Sequence, residues 1–237
     1  MQLFYQPQLL LHTTQILNEE ESRHCAQVLR LKPGDRLNIT NGSGSLFTAE
    51  LIEVHHKKCV VAITHEVKNE KPVNYSLHLA IAPTKNMDRM EWFLEKAVEM
   101  GIDEITPLIC ARSERKEIKT ERLKKVAIAA IKQSLKYHLP AINEAISFDE
   151  FVAKTKINQA FICFGDAPAT ANLQMVNTSL HHNLFLIGPE GDFTPKEIIT
   201  ATEKGYQPLN LGTSRLRTET AALHVVSVVN FKKMNSL

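Results

Sequence analysis

The rhythm of hydrophobic and polar positions changes once along this chain, near residue 72. Before it, apolar residues come in short runs separated by turn signals. Leu37 to Ile39 reads as a strand entered through the turn Pro33-Gly34-Asp35 and left at Asn41-Gly42. Strands are predicted at Leu46 to Val54 and Cys59 to Val67, separated by the charged turn His55-His56-Lys57-Lys58. One helix is embedded ahead of them: Asn18 is its N-cap, Glu21 stands at the capping-box position, and Cys25, Val28 and Leu29 share a face. This pattern predicts a small β-barrel with one helix over residues 1–71. The polar, proline-closed stretch from Lys68 to Pro72 reads as the linker to a second domain at 72–237.

After the linker, strands and helices alternate. Tyr75 to Ala82 is an apolar strand, followed by a helix from Asn86 to Met100 that Gly101 stops. A strand at Ile102 to Ile109 and a helix from Glu121 to Tyr137, capped by Thr120, come next. Phe161 to Phe164 and Leu184 to Ile187 are wholly apolar runs of the kind that form buried parallel strands. Thr194-Pro195-Lys196-Glu197 combines a threonine cap, proline at the first helical position and a capping-box glutamate. That helix runs to Lys204 and stops at Gly205. Pro208 to Leu211 follows, and a last helix spans Glu219 to Lys233. The alternation predicts an α/β domain with a mostly parallel sheet.

Composition adds exclusions. At 43% hydrophobic and 23% charged residues, the 237-residue chain reads as an ordinary globular protein with no bilayer-spanning run. Its start, from Met1 to Pro7, lacks the basic and apolar regions of a signal peptide. Cys25, Cys59, Cys110 and Cys163 are far apart and form no CxxC pair. The ten histidines include no HExxH, and the pairs His55-His56 and His181-His182 fall in turn-like contexts. We expect a reduced cytoplasmic protein without a structural metal. The net charge of +2 is uninformative, but its distribution is not. From Arg112 to His138 nine basic residues face three acids, a local excess of +6. Arg122, Lys125, Lys132 and Lys136 fall within a roughly 80° arc of the expected helix, and Arg112, Arg115 and Lys116 extend the charge upstream. A solvated helix face would look similar, but the extension into the loop favours a phosphate-binding surface for RNA.

Two loops stand at the carboxyl ends of predicted strands, where ligands bind in open α/β sheets. The first is Gly188-Pro189-Glu190-Gly191-Asp192-Phe193, whose glycines admit a tight turn and close backbone approach. The second runs from Leu211 through Gly212 and Leu216 to Arg217-Thr218-Glu219. A structural reading suffices for part of it, with Thr218 capping the last helix and Glu219 meeting its dipole. Arg215 and Arg217 remain unexplained, because two cations at a positive helix end need an anion or polar ligand. No P-loop and no glycine-rich Rossmann loop is present, so a nucleotide-like cofactor must be held in another way.

Several stretches together resemble the RsmE-type 16S ribosomal RNA (uracil-N3)-methyltransferases of the SPOUT superfamily. They are LRLKPGD from Leu29 to Asp35, DRMEW from Asp88 to Trp92 with Glu95-Lys96-Ala97, IGPEG from Ile187 to Gly191 with Phe193, and LRTETAA from Leu216 to Ala222. They occur in the family's order and cover nearly the whole chain. The resemblance implies a PUA-like N-terminal barrel for RNA binding and a C-terminal SPOUT domain with a deep trefoil knot. It also implies a homodimer, S-adenosylmethionine as cofactor, and methyl transfer to N3 of one uridine in small-subunit ribosomal RNA, within an assembled or partly assembled 30S subunit. On this resemblance Leu186, Gly188, Gly191, Leu211, Gly212, Leu216 and Thr218 are expected to hold the cofactor, and Arg217 and Glu219 to act on the uracil. Arg217 would stabilise the uracil anion; Glu219 would take the N3 proton or orient Arg217.

The chain departs from the family pattern in three places. Asp192 stands where a third glycine is usual, Leu135-Lys136 replaces Gly-Arg after Gln133-Ser134, and Gln2 lies where a basic residue often occurs. The motifs report the cofactor better than the substrate. A SPOUT enzyme for another RNA or base, or an RNA-binding assembly protein with a vestigial pocket, therefore remain alternatives at this stage.

Overall fold

The computed structural model describes residues 2–69, 76–155, 159–178 and 182–234. Part of the expected linker, Tyr75 and His181 lie outside these residues. The chain divides into two compact units, Met1–Lys71 with Ile128–Leu139, and Pro72–Ala127 with Pro140–Leu237.

The first unit contains β1 (Leu3–Tyr5), β2 (Thr14–Ile16), α1 (Glu19–Arg23), β3 (Arg36–Thr40), β4 (Ser45–Glu53) and β5 (Val60–Lys68). Its strands form one sheet in the order β1-β3-β4-β5-β2, antiparallel except for the parallel β1–β3 pair. Among the described residues the edge strands β1 and β2 form no pair, so the strand path there stays open. Irregularities at Thr48/Ala49 and Leu51/Glu53 bend the long β4–β5 ribbon. Alternate residues of β3, β4 and β5 bury Leu37, Ile39, Phe47, Ala49, Leu51, Val61 and Ile63 in one core. Asn18 caps α1 by accepting from the Glu21 amide at 2.9 Å. The reciprocal half of the expected box is absent, since Glu21 accepts instead from Tyr5 N at 3.2 Å and Lys132 Nζ at 2.6 Å. After α1 the chain widens into a π-helical turn, His24–Val28, which buries Cys25 but leaves Val28 exposed. The shared apolar face assumed α-helical spacing and fails for that reason.

The second unit contains β6 (Ser76–Ile81), α2 (Met87–Met100), β7 (Glu104–Ile109), α3 (Thr120–Gln133), β8 (Ala141–Ile142), β9 (Ile146–Ser147), α4 (Phe148–Lys154), β10 (Gln159–Cys163), β11 (His182–Ile187), α5 (Pro195–Glu203), β12 (Gln207–Leu209) and α6 (Thr218–Met234). The later part of α3 is grouped with the first unit. Every strand pair among the described residues of this unit is parallel, in the order β12-β10-β11-β6-β7-β8 with β9 also on β7. Central strands are buried on both faces, which explains their unbroken apolar runs. Ala80, Ile162, Leu184 and Leu186 share a core with Phe148, Phe151 and Tyr206, and the Phe161 and Phe185 rings stack at 5.0 Å.

Helix ends follow local chemistry. Thr194 and Glu197 form a complete capping box with Pro195 in the first turn. Asn86 caps α2, and Gly101 ends it in the left-handed conformation at φ 102°. α3 stops at Gln133 rather than at the expected Tyr137, because Leu135 turns left-handed at φ 55°. Lys136 is therefore not on the helical arc assigned to it.

Candidate active site at the carboxyl ends of the parallel strands

Five loops leave the sheet at the carboxyl ends of β6, β7, β10, β11 and β12. The loop after β11, Gly188 to Phe193, is tied to each of the others. From the β7 side, Arg112 Nη1 donates to the carbonyls of Gly191 at 2.7 Å and Phe193 at 3.3 Å. From the β6 side, the Lys85 amide donates to Glu190 Oε1 at 2.9 Å. From the β10 side, the Gly165 amide donates to Asp192 Oδ2 at 3.0 Å. From the loop after β12, the Thr218 hydroxyl donates to the Gly188 carbonyl at 3.1 Å. Thr218 thus links the two loops singled out in the sequence instead of capping α6, whose cap position falls to Arg217, with its carbonyl accepting from Ala221 at 2.8 Å.

The reasons for the loop's glycines differ from those first expected. Gly188 and Gly191 do not have positive φ; the left-handed residue is Asp192, at φ 60°. A Cβ on Gly188 would lie 3.2 Å from the Phe193 ring and 3.3 Å from Asp192 Oδ1, so any larger residue would have to displace one of those side chains by a few tenths of an ångström. Gly212, by contrast, has φ 117° and open space around its missing side chain. Leu186 is fully buried in the sheet core, so its side chain supports the loop from beneath. Leu211 and Leu216 are partly exposed on either side of Gly212.

The candidate catalytic pair is split. Arg217 is exposed, and its guanidinium has no protein partner among the described residues; the same is true of Arg215. Glu219 is buried in the first turn of α6, its side chain 8% exposed and 3.7 Å from Arg89 Nε in the first turn of α2. Its Oε2 atom is buried without a hydrogen-bond partner. Sequence reasoning quoted Arg89 within the Asp88–Trp92 motif but gave it no role. Its position just beyond the end of central strand β6 was the available signal.

The structure sorts the seven cations proposed for RNA. Arg112 holds the Gly188–Phe193 loop, Arg115 donates to the Lys85 carbonyl at 2.8 Å, and Arg122 pairs with Glu91. In the first unit, Lys132 pairs at 2.6 Å with Glu21, whose side chain is 4% exposed. Lys116 and Lys125 are exposed and enter no ion pair among the described residues, and Lys136 is partly exposed.

All four cysteines are buried free thiols. Burial pushes the Cys110 and Cys163 thiols well up, and the carboxylates of Glu197 and Asp192 add to it, so neither is a thiolate nucleophile. Among the described residues no group of His, Cys, Asp or Glu is arranged to hold a metal ion. No described helix is long and apolar enough to cross a membrane.

Comparison with known proteins agrees with this geometry. A profile of the RNA methyltransferase domain matches residues 69–230, and one of the RNA methyltransferase PUA domain matches 17–64. The ribosomal RNA small subunit methyltransferase E of Rickettsia conorii is 29% identical over 91% of this chain and 88% of its own. The crystal structure of the Neisseria gonorrhoeae protein of that name, bound to S-adenosyl methionine, is 30% identical with a TM-score of 0.86 over 98% of both chains. A Porphyromonas gingivalis protein described as a probable rRNA-methyltransferase is 36% identical with a TM-score of 0.91 over the full length of both chains. The chain belongs to the RsmE-type family of RNA methyltransferases.

Proposed function

We propose that this protein transfers a methyl group from S-adenosylmethionine to N3 of a specific uridine in 16S ribosomal RNA. In this reading it acts in the cytoplasm as a homodimer on the assembled or partly assembled small subunit. Residues 1–71 act as the RNA-binding PUA-like domain, and 72–237 as the SPOUT domain with its trefoil knot.

The residues present fit an adenosyl cofactor. Gly212 leaves backbone open to approach, Leu211 and Leu216 offer partly exposed apolar surface beside it, and the Gly188–Phe193 loop is tied to four neighbouring loops. When bound, the cofactor supplies an electrophilic methyl group. The observation that carries the reading is that Arg217 is exposed with no protein partner among the described residues, while Glu219, two residues on, is buried with an Oε2 that lacks a donor. Uracil N3 bears a proton and is flanked by two carbonyls. Arg217 stabilises the charge that spreads onto those carbonyls as the proton leaves. Glu219 Oε2 accepts that proton, and Arg89 holds the other carboxylate oxygen in place. Glu219 pairs with Arg89 and not with Arg217, which favours the proton-accepting role over the orienting one. Because N3 lies on the pairing edge, the uridine must be unpaired or flipped. Lys116, Lys125 and Lys136 are the cations free to meet phosphate, and the remaining RNA candidates act through the scaffold.

Nucleoside mass spectrometry of 16S RNA from a strain lacking the gene tests this reading. Loss of 3-methyluridine, restored by the wild-type gene and not by Arg217→Ala, is expected. An unchanged 3-methyluridine content contradicts it.

A further inference from the structure

The loops after β11 and β12 are connected by more than the Thr218 bond. Strand β10 lies between their parent strands, with Cys163 in register with Ile187 on one side and Leu209 on the other. The chain leaving β10 makes a turn, Ala167 N donating to the Phe164 carbonyl at 3.3 Å. One end of this turn is held by Asp192, whose Oδ2 accepts from Gly165 N at 3.0 Å while Oδ1 accepts from Phe193 N at 2.7 Å. The other end is held by Asn210, whose Nδ2 donates to the Ala167 carbonyl at 2.7 Å while its Oδ1 accepts from Gly212 N at 2.8 Å. Asn210 N also donates to the Ala171 carbonyl at 2.6 Å. A continuous line of hydrogen bonds therefore runs from the Gly188–Phe193 loop, through the β10 turn, to Gly212.

Asp192 is suited to its end of this line. At φ 60° it occupies a backbone region that favours glycine and tolerates aspartate or asparagine. Both carboxylate oxygens accept from backbone N–H groups, so the charge is turned into the scaffold. Asn210 bridges an acceptor on the turn and a donor at Gly212, which an apolar residue of its size does not reproduce.

We propose that Asp192 and Asn210 are positioning residues that use the β10 turn as a strut, fixing the separation of the two loops and thereby the affinity for the methyl donor. This rests on the reading of those loops as the S-adenosylmethionine site. The strut acts on donor affinity and not on the chemical step, since among the described residues no hydrogen bond or ion pair joins Asp192 or Asn210 to Arg217 or Glu219.

Calorimetric titration of S-adenosylmethionine into the intact protein, with steady-state methylation of 30S subunits alongside, tests it. Asp192→Gly is expected to raise Kd and the donor KM about tenfold, with kcat at saturating donor retained. Its melting temperature should fall only modestly, because glycine adopts φ 60° without strain and so offsets part of the two lost hydrogen bonds. Asp192→Asn keeps one amide oxygen and should lie between Asp192→Gly and wild type. Asn210→Ala should match Asp192→Gly, and the double variant should be no worse than the weaker single, because both cut one strut. An unchanged Kd in Asp192→Gly, or losses that multiply in the double variant, overturns the strut. Absence of donor binding by the wild-type protein overturns the donor site itself, a separate and distinguishable result.

Discussion

The loops that leave β11 and β12 flank the same strand, yet they use their polar groups in opposite ways. Gly188 to Phe193 is bonded to all four neighbouring loops, through Arg112, Lys85, Gly165 and Thr218. The stretch from Leu211 to Arg217 holds Gly212 to Asn210, but leaves Arg215 and Arg217 exposed and unpaired among the described residues. A loop whose donors and acceptors are consumed by protein is a prebuilt wall. One that keeps free cations at a helix N-terminus, where the dipole disfavours them, retains binding capacity at a cost in stability. The same division runs through the basic segment, where Arg112 and Lys132 bond to protein groups while Lys116 and Lys125 enter no ion pair among the described residues. A count of charges in the sequence treats these alike; their partners separate them.

The largest effect that sharpens this division is expected in the first unit. Lys132→Ala leaves Glu21 buried without its cation, and chemical denaturation should show a loss of about 3 kcal/mol or more. The salt dependence of RNA binding should stay unchanged, where a phosphate contact would lower its slope by about one. Next, Arg112→Ala removes two charge-assisted bonds to loop carbonyls. Calorimetry should show donor affinity weakened by roughly tenfold or more, with each such bond contributing about 1.5–3 kcal/mol at most. Thr218→Val leaves the Gly188 carbonyl without its hydroxyl donor, for an expected loss of about 1 kcal/mol in thermal stability.

The smallest effect lies away from the site. His78 is held by Thr106 Oγ1 at 2.8 Å, and burial lowers its pKa despite the opposing charge of Glu104. A lowered folded pKa means that the unfolded chain binds the proton first. The stabilising contribution is therefore complete above the ordinary value of 6.5 and is lost as pH falls below it. Melting curves between pH 7.5 and 5.5, ordinary assay limits of roughly one unit either side of a histidine's range, should show a shallower decline for His78→Gln.

Much of the second unit was legible in its sequence because its signals are local. The capping box at Thr194, the stop at Gly101 and the unbroken apolar strands each follow from residues adjacent in the chain. The elements missed were short. β1, β2, β8 and β9 span two or three residues and owe their existence to partners distant in sequence. α4 was legible but overlooked: Ser147 accepts from the Glu150 amide at 3.3 Å, as the Ser-x-x-Glu spacing implies. Leu135 and Asp192 share a different difficulty. Each adopts the left-handed backbone, at φ 55° and 60°, without being glycine. The conformation persists without the residue that announces it, so the helix end at Gln133 had no sequence marker. Of the candidate site, the two loops were legible as turns at strand ends, and Arg217 as a cation left unexplained at a helix start. Arg89, the duty of Arg112 and the β10 strut were not, because each depends on which strand ends the topology brings together.

The central claim is that the tied loop holds the donor while Arg217 acts on the base. It is tested most directly by single-turnover methylation of 30S subunits with Arg217→Ala at saturating S-adenosylmethionine, after calorimetry on the same sample. The account predicts wild-type donor affinity with methyl transfer to the uridine slowed by about a hundredfold or more. Normal transfer by that variant with the donor bound would contradict it.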